Sequence, residues 1–251
     1  MFAQLLMFIR SLLFAVGFYG VTIIYSTCCI IVSPVLSFRQ RFRLITSINF
    51  FYMFWLRVTC GVKIKFEGKE NLPKEGAYVV VANHQSEWET LFLQTVIRPQ
   101  STVLKQELLK MPFFGWALAM LKPIALDREN KRGALKQLLK EGKQRLVEEQ
   151  IPLLIFPQGT RLPVTQFGQF NKGAAMLALS SKVPVVPVAH NAGYFWPAKG
   201  FLKHPGTITL RVGSPMVTND RTVEEIREFY AGWIAVEMEK LDVDAKAQLS
   251  R

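Results

Sequence analysis

The chain is 251 residues long, half of them hydrophobic, and carries a formal net charge of +12. That length suits one large domain with a full core, two being the less economical division. The charge requires an anionic partner surface, but scattered basic residues in so apolar a chain, without aromatics interleaved along a basic groove, disfavour nucleic acid and favour phospholipid headgroups or a phosphorylated substrate.

Three cysteines, Cys28, Cys29 and Cys60, have neither CxxC spacing nor a neighbouring histidine, so neither a metal site nor a disulfide scaffold is expected. From Ser11 to Phe38 there is no charged residue, a run long enough to cross a bilayer core of ~20 residues. It is too long for a cleavable leader, and no small-x-small site precedes the basic cluster. Arg39, Arg41 and Arg43 outweigh Arg10 on the other side, which places Phe38 onward in the cytoplasm.

A second apolar segment, Leu44 to Val58, is dense in aromatics and ends at Arg57. It is short for a spanning helix. An interfacial helix and a core helix of the following domain are both open readings. Residues 1–60 therefore form a membrane anchor or platform, and 61–251 a separate α/β domain.

Val62–Glu67 alternates apolar and polar residues and predicts a half-buried strand; Ala77–Ala82 is β-branched and predicts a buried one. Glu87–Ile97 reads as a helix stopped by Arg98-Pro99, and Thr102–Lys105 as a short strand. Helix formers from Lys105 to Leu121 are interrupted at Met111-Pro112. Pro123–Leu126 is a short apolar run ending in Asp127-Arg128, and Asn130–Glu149 an amphipathic helix with Leu135, Leu138, Leu139, Leu146 and Val147 on one stripe. Ile151–Phe156 and Val183–His190 predict buried strands, Lys172–Ser181 a helix, Ile208–Val212 a late strand and Arg221–Leu241 a final helix. The polar tail after Asp242 is expected to fray. Strands alternating with helices imply a largely parallel central sheet flanked by helices, whose ligands gather beyond the carboxyl ends of the strands.

Those strand ends carry the polar clusters. Asn83-His84 follows a buried strand, with Glu89 five residues after the histidine: a general base with an orienting carboxylate. Ser86 to Glu89 is also the pattern of a helix capping box, and the two readings are compatible. Gly159-Thr160-Arg161 combines a glycine that lets backbone approach a ligand with a guanidinium fork for phosphate; an ordinary turn with a solvated arginine is the alternative. Arg128 and Lys105 carry the same pair of readings. His190 is expected to be packed and hydrogen-bonded, and His204 to lie on the surface. No serine or cysteine nucleophile stands beside a base, which favours direct transfer over a covalent intermediate.

Asn83-His84 with its acid, Pro123–Arg128, Phe156–Arg161 and Val183–Pro187 stand in the order and spacing of the four motifs of the glycerolipid acyltransferase family, which the chain resembles from about Lys63 to about Pro215. The resemblance implies that His84 deprotonates the free hydroxyl of a lysophosphatidate, with Glu89 as its charge partner. It also implies that Arg128, Gly159, Thr160 and Arg161 hold the phosphate, and that the fourth motif shapes the acyl-donor side. The implied donor is acyl-CoA or an acyl carrier protein, the product phosphatidate, and no other cofactor is called for. The implied location is a bacterial inner membrane. Two residues depart from the family pattern: Glu89 stands where aspartate is usual, and Gln158 where glutamate is usual.

Overall fold

The computed structural model describes residues 2–250. Two helices come first, α1 (Phe2–Val32) and α2 (Phe38–Cys60). α1 is long and apolar enough to cross a membrane, and its outer face exposes Leu5, Leu12, Val16, Ile23, Ile24 and Ile31. Its inner face is docked over most of its length. Ser11 Oγ accepts from the Lys203 amide at 2.9 Å, the Phe14 ring meets Trp196 edge-on at 4.9 Å, and Tyr25 donates to the Leu44 carbonyl at 2.7 Å. Near its end Cys29 is buried with Phe42, Ala117 and Leu121. A helix fixed along its length to one domain lies beside that domain.

α2 opens with a Ser37/Gln40 capping box and ends at Gly61, whose left-handed φ of 71° turns the chain into the first strand. It begins six residues before the expected Leu44, because Arg39 and Arg43 point to solvent and do not interrupt the buried stripe of Phe42, Ile45, Asn49, Tyr52 and Leu56. Phe50, Phe54 and Val58 remain exposed on the far side. The core-helix reading thus holds for the inner face, and the outer face is exposed and apolar.

The sheet comprises β1 (Val62–Glu67), β2 (Val79–Ala82), β3 (Ser101–Lys105), β4 (Ile124–Leu126), β5 (Leu153–Ile155), β6 (Val185–His190) and β7 (Gly206–Val212), in the order β1-β7-β6-β2-β5-β3-β4. β2 to β6 run parallel to one another, whereas β7 is antiparallel to β6 and carries β1 parallel beside it. Alternation along β2 divides the core. Val80 and Ala82 face α2 and α3 (Trp88–Val96), while Val79 and Val81 face α5 (Lys131–Lys143), α6 (Gly173–Ser181) and α8 (Val223–Leu249). The α1–α2 hairpin therefore covers one face of the sheet, and α5, α6 and α8 cover the other.

One expected interruption is present, and one expected helix end is not. Lys105–Leu121 is a 3₁₀ segment at Gln106–Lys110 followed by the short helix α4 (Phe114–Ala119), since Pro112 cannot sit inside one continuous helix. The tail after Asp242 does not fray: α8 continues to Leu249, because Ala245 is buried and the Gln248 side chain accepts from the Thr207 amide at 2.7 Å.

Candidate active site

Because β2, β5, β3 and β4 are successive parallel neighbours, their carboxyl ends deliver His84, Gly159–Arg161, Lys105 and Arg128 to one pole of the sheet. They surround a cleft of about 490 Å³ whose walls include His84, Lys105, Arg128, Thr160 and Arg161, together with apolar Leu108, Leu162 and Val164. Of the sequence-predicted residues, Gly159 and Glu89 do not line it. Glu89 lies fully buried behind the histidine. Gly159, at φ 72°, turns its carbonyl to accept from Arg128.

One oxygen of Glu89 orients His84 and also gathers the backbone of the turn before α3, whose N-cap is Glu87 and not the expected Ser86. Oε1 is 2.8 Å from His84 Nδ1 and accepts the Gln85 and Ser86 amides at 2.9 Å each. Ser86 Oγ in turn accepts from Trp88 N at 3.1 Å. The carboxylate fixes the tautomer: Nδ1 carries the proton, and Nε2 presents its lone pair to the cleft. Burial opposes charge on Glu89, but the hydrogen bond and charge of His84 and the Ser86 amide outweigh it, so the carboxyl lies below its ordinary range. The imidazole plane is held by stacking on Phe156, 4.0 Å away and inclined by 14°.

His190 is a structural histidine. Its Nδ1 accepts the Ala192 amide at 3.2 Å and its Nε2 donates to the Asn83 carbonyl at 2.8 Å. The Asn83 side chain completes a reciprocal pair with the His190 backbone at 2.9 and 3.0 Å. These bonds clamp the end of β2 to β6 directly under His84. Burial pushes the His190 imidazole down despite Glu89, which keeps it neutral.

Several residues of the site were given no role from the sequence. Gln158 accepts the His84 amide on Oε1 at 2.7 Å and donates to the Phe167 carbonyl, tying the β5 loop to the β2 loop. Glu87 holds Arg161 through a charged hydrogen bond. Lys199 closes the cleft from the loop after α7 (Ala192–Phe195). An acid three residues past the histidine was a visible signal for Glu87; nothing local marked Lys199. Lys105 pairs with Glu107 at 3.1 Å. A second recess of about 300 Å³ lies at the opposite pole, where Glu149 is committed to Lys122 and Arg145. With its one acid neutralised, that recess offers no base for chemistry.

The sequence model of the family described as Acyltransferase matches residues 63–191. A 1-acyl-sn-glycerol-3-phosphate acyltransferase of Pseudomonas aeruginosa is 41% identical over 93% of this chain and 91% of its own length. The enzyme of the same name from Saccharomyces cerevisiae is 31% identical over 90% of this chain and 74% of its own. The crystal structure of the 1-acyl-sn-glycerophosphate (LPA) acyltransferase from Thermotoga maritima has the same fold, with a TM-score of 0.78 at 23% identity over 93% of this chain and 95% of that one. Its four motifs, its fold and these relatives together show that the chain belongs to the acyltransferase family.

Proposed function

We propose that the protein transfers a fatty acyl group from a thioester to the free hydroxyl of 1-acyl-glycerol-3-phosphate, giving phosphatidate. The observation that carries this reading is the single cleft in which an oriented imidazole nitrogen faces two arginines, beside a helix hairpin with an apolar outer face. The similarity to enzymes of that name supports it.

The arginines explain the phosphate. Arg161 is held by Glu87 and Arg128 by the Gly159 carbonyl, each through one terminal nitrogen, so the remaining N–H groups can meet phosphate oxygens. Thr160 and Lys105 complete that wall. With phosphate fixed there, the free hydroxyl reaches His84 Nε2, which takes its proton as the oxygen attacks the thioester carbonyl. The tetrahedral intermediate collapses with cleavage of the C–S bond, and Nε2 returns the proton to the departing sulfur. Glu89 stabilises the imidazolium in between. No metal or cofactor enters these steps; the donor is acyl-CoA or acyl carrier protein.

The exposed face of α1 and the outer aromatics of α2 are the surface that enters the lipid, in the leaflet the domain sits on. The net charge of +12 suits an anionic cytoplasmic leaflet. We assign the protein to the cytoplasmic face of a bacterial inner membrane.

Purified protein in phosphatidylcholine vesicles, supplied with lysophosphatidate and acyl-CoA, tests the reading. His84→Ala should lower kcat by about 10²–10⁴-fold or more. Arg161→Ala should chiefly raise KM for the phosphate-bearing acceptor. Full activity in His84→Ala would refute the mechanism.

A further inference from the structure

The outer face of α5 carries Arg132, Lys136, Lys140 and Lys143, all exposed. At 100° per residue they fall within an arc of about 80° and extend over about 16 Å of helix. None of them has an acidic partner within 4.0 Å among the described residues, unlike Lys172, Arg145 and Arg211, which are paired nearby or across the same side of the domain. Four unneutralised cations on one helical face repel one another, and a solvated surface has no need of that alignment. The stripe also has a definite starting point. Helix α5 begins three residues after Arg128, which lines the active-site cleft.

The charge would suit either an anionic membrane or an acidic protein. The fold decides between them. α5 packs on the sheet face that Val79 and Val81 line, whereas the α1–α2 hairpin with its exposed apolar side covers the opposite face. With the hairpin in the lipid, α5 points to water.

We propose that this face of α5 docks an acidic acyl carrier protein, which presents its acyl thioester to the cleft past Arg128. The assignment rests on the acyl-transfer reading above and names the donor that the reading leaves open. A negatively charged helix of the carrier lies along the stripe, and its thioester-bearing arm enters at the α5 N-terminus. The acceptor comes from the other side, from the leaflet. Acidic partners recruited in this way associate faster at low ionic strength.

The test uses the full chain in neutral phosphatidylcholine vesicles and a fluorescently labelled palmitoyl-carrier protein, with binding read by anisotropy. Lys136→Glu, Lys140→Glu and Lys143→Glu together should weaken binding at least tenfold, and a milder triple change to Gln should weaken it less. Wild-type binding should fall steeply with added salt, and that of the Glu variant should be nearly flat. Turnover with acyl-CoA, which needs no carrier, should be the same in wild type and variant. Equal carrier binding by wild type and variant would overturn the proposal. So would loss of partition to phosphatidylglycerol vesicles in the variant with carrier binding intact, because the stripe would then belong to the membrane. Binding is measured without catalysis, so absent acyl-CoA turnover in the wild type would count against the enzymatic reading while the anisotropy still decides the surface.

Discussion

At the scale of single residues, the concentration of three donors on Glu89 Oε1 sets the expected chemistry. In Glu89→Gln the amide oxygen must occupy that position, since all three neighbours donate. The turn and the tautomer survive while the negative charge is lost, so kcat should fall about 10²-fold or more with KM nearly unchanged. Stability should respond with a definite sign. The native carboxyl lies below its unfolded value, so its contribution is complete above the unfolded pKa and is lost as pH falls through the folded one. Thermal denaturation should therefore show wild type and Glu89→Gln furthest apart near neutrality and converging in acid. Gln158→Ala removes partners from the His84 amide and the Phe167 carbonyl at once. It should cost about 1–3 kcal/mol of stability in denaturant titration and lower kcat more than it alters acceptor KM. Gln158 was legible in the sequence only as a departure from a motif. Its work is done on backbone atoms of a distant loop, and a side chain's hydrogen bonds to remote backbone leave no trace in local spacing. His84 and Glu89 were legible because both lie within one strand–helix turn.

At the scale of elements, α1 shows how different its two faces are. Phe14 is 3% exposed against Trp196, and Val16, two residues on, is 66% exposed. Phe14→Ala should destabilise by about 3–5 kcal/mol, as core phenylalanine truncations do. Val16→Ala should leave the denaturation midpoint in detergent unchanged and reduce only vesicle binding. The apolar run announced α1, but its relation to the domain depends on contacts such as Ser11 with Lys203 that are nearly two hundred residues apart. The strands were readable from β-branched runs, and their parallel direction from the intervening helices. The reversal at β7 was not, because the loop from Trp196 to Pro205 carries no signal that separates a hairpin-like return from a crossover. The end of α8 was misjudged for a similar reason: a polar tail looks frayed until Gln248 meets the Thr207 amide.

At the scale of the whole molecule, the sheet separates two environments. The hairpin covers one face, α5, α6 and α8 cover the other, and the cleft opens at the pole between them. For a lipid acceptor and a water-borne donor this division has a kinetic meaning. The acceptor is encountered at a surface density and the donor at a bulk molarity, so the two substrates are counted in different dimensions. Diluting lysophosphatidate with inert phosphatidylcholine, at constant total lysophosphatidate, should slow turnover in proportion to its falling mole fraction below saturation. Changing the amount of vesicles at fixed mole fraction should leave the rate per bound enzyme untouched, and the donor KM should not move in either series.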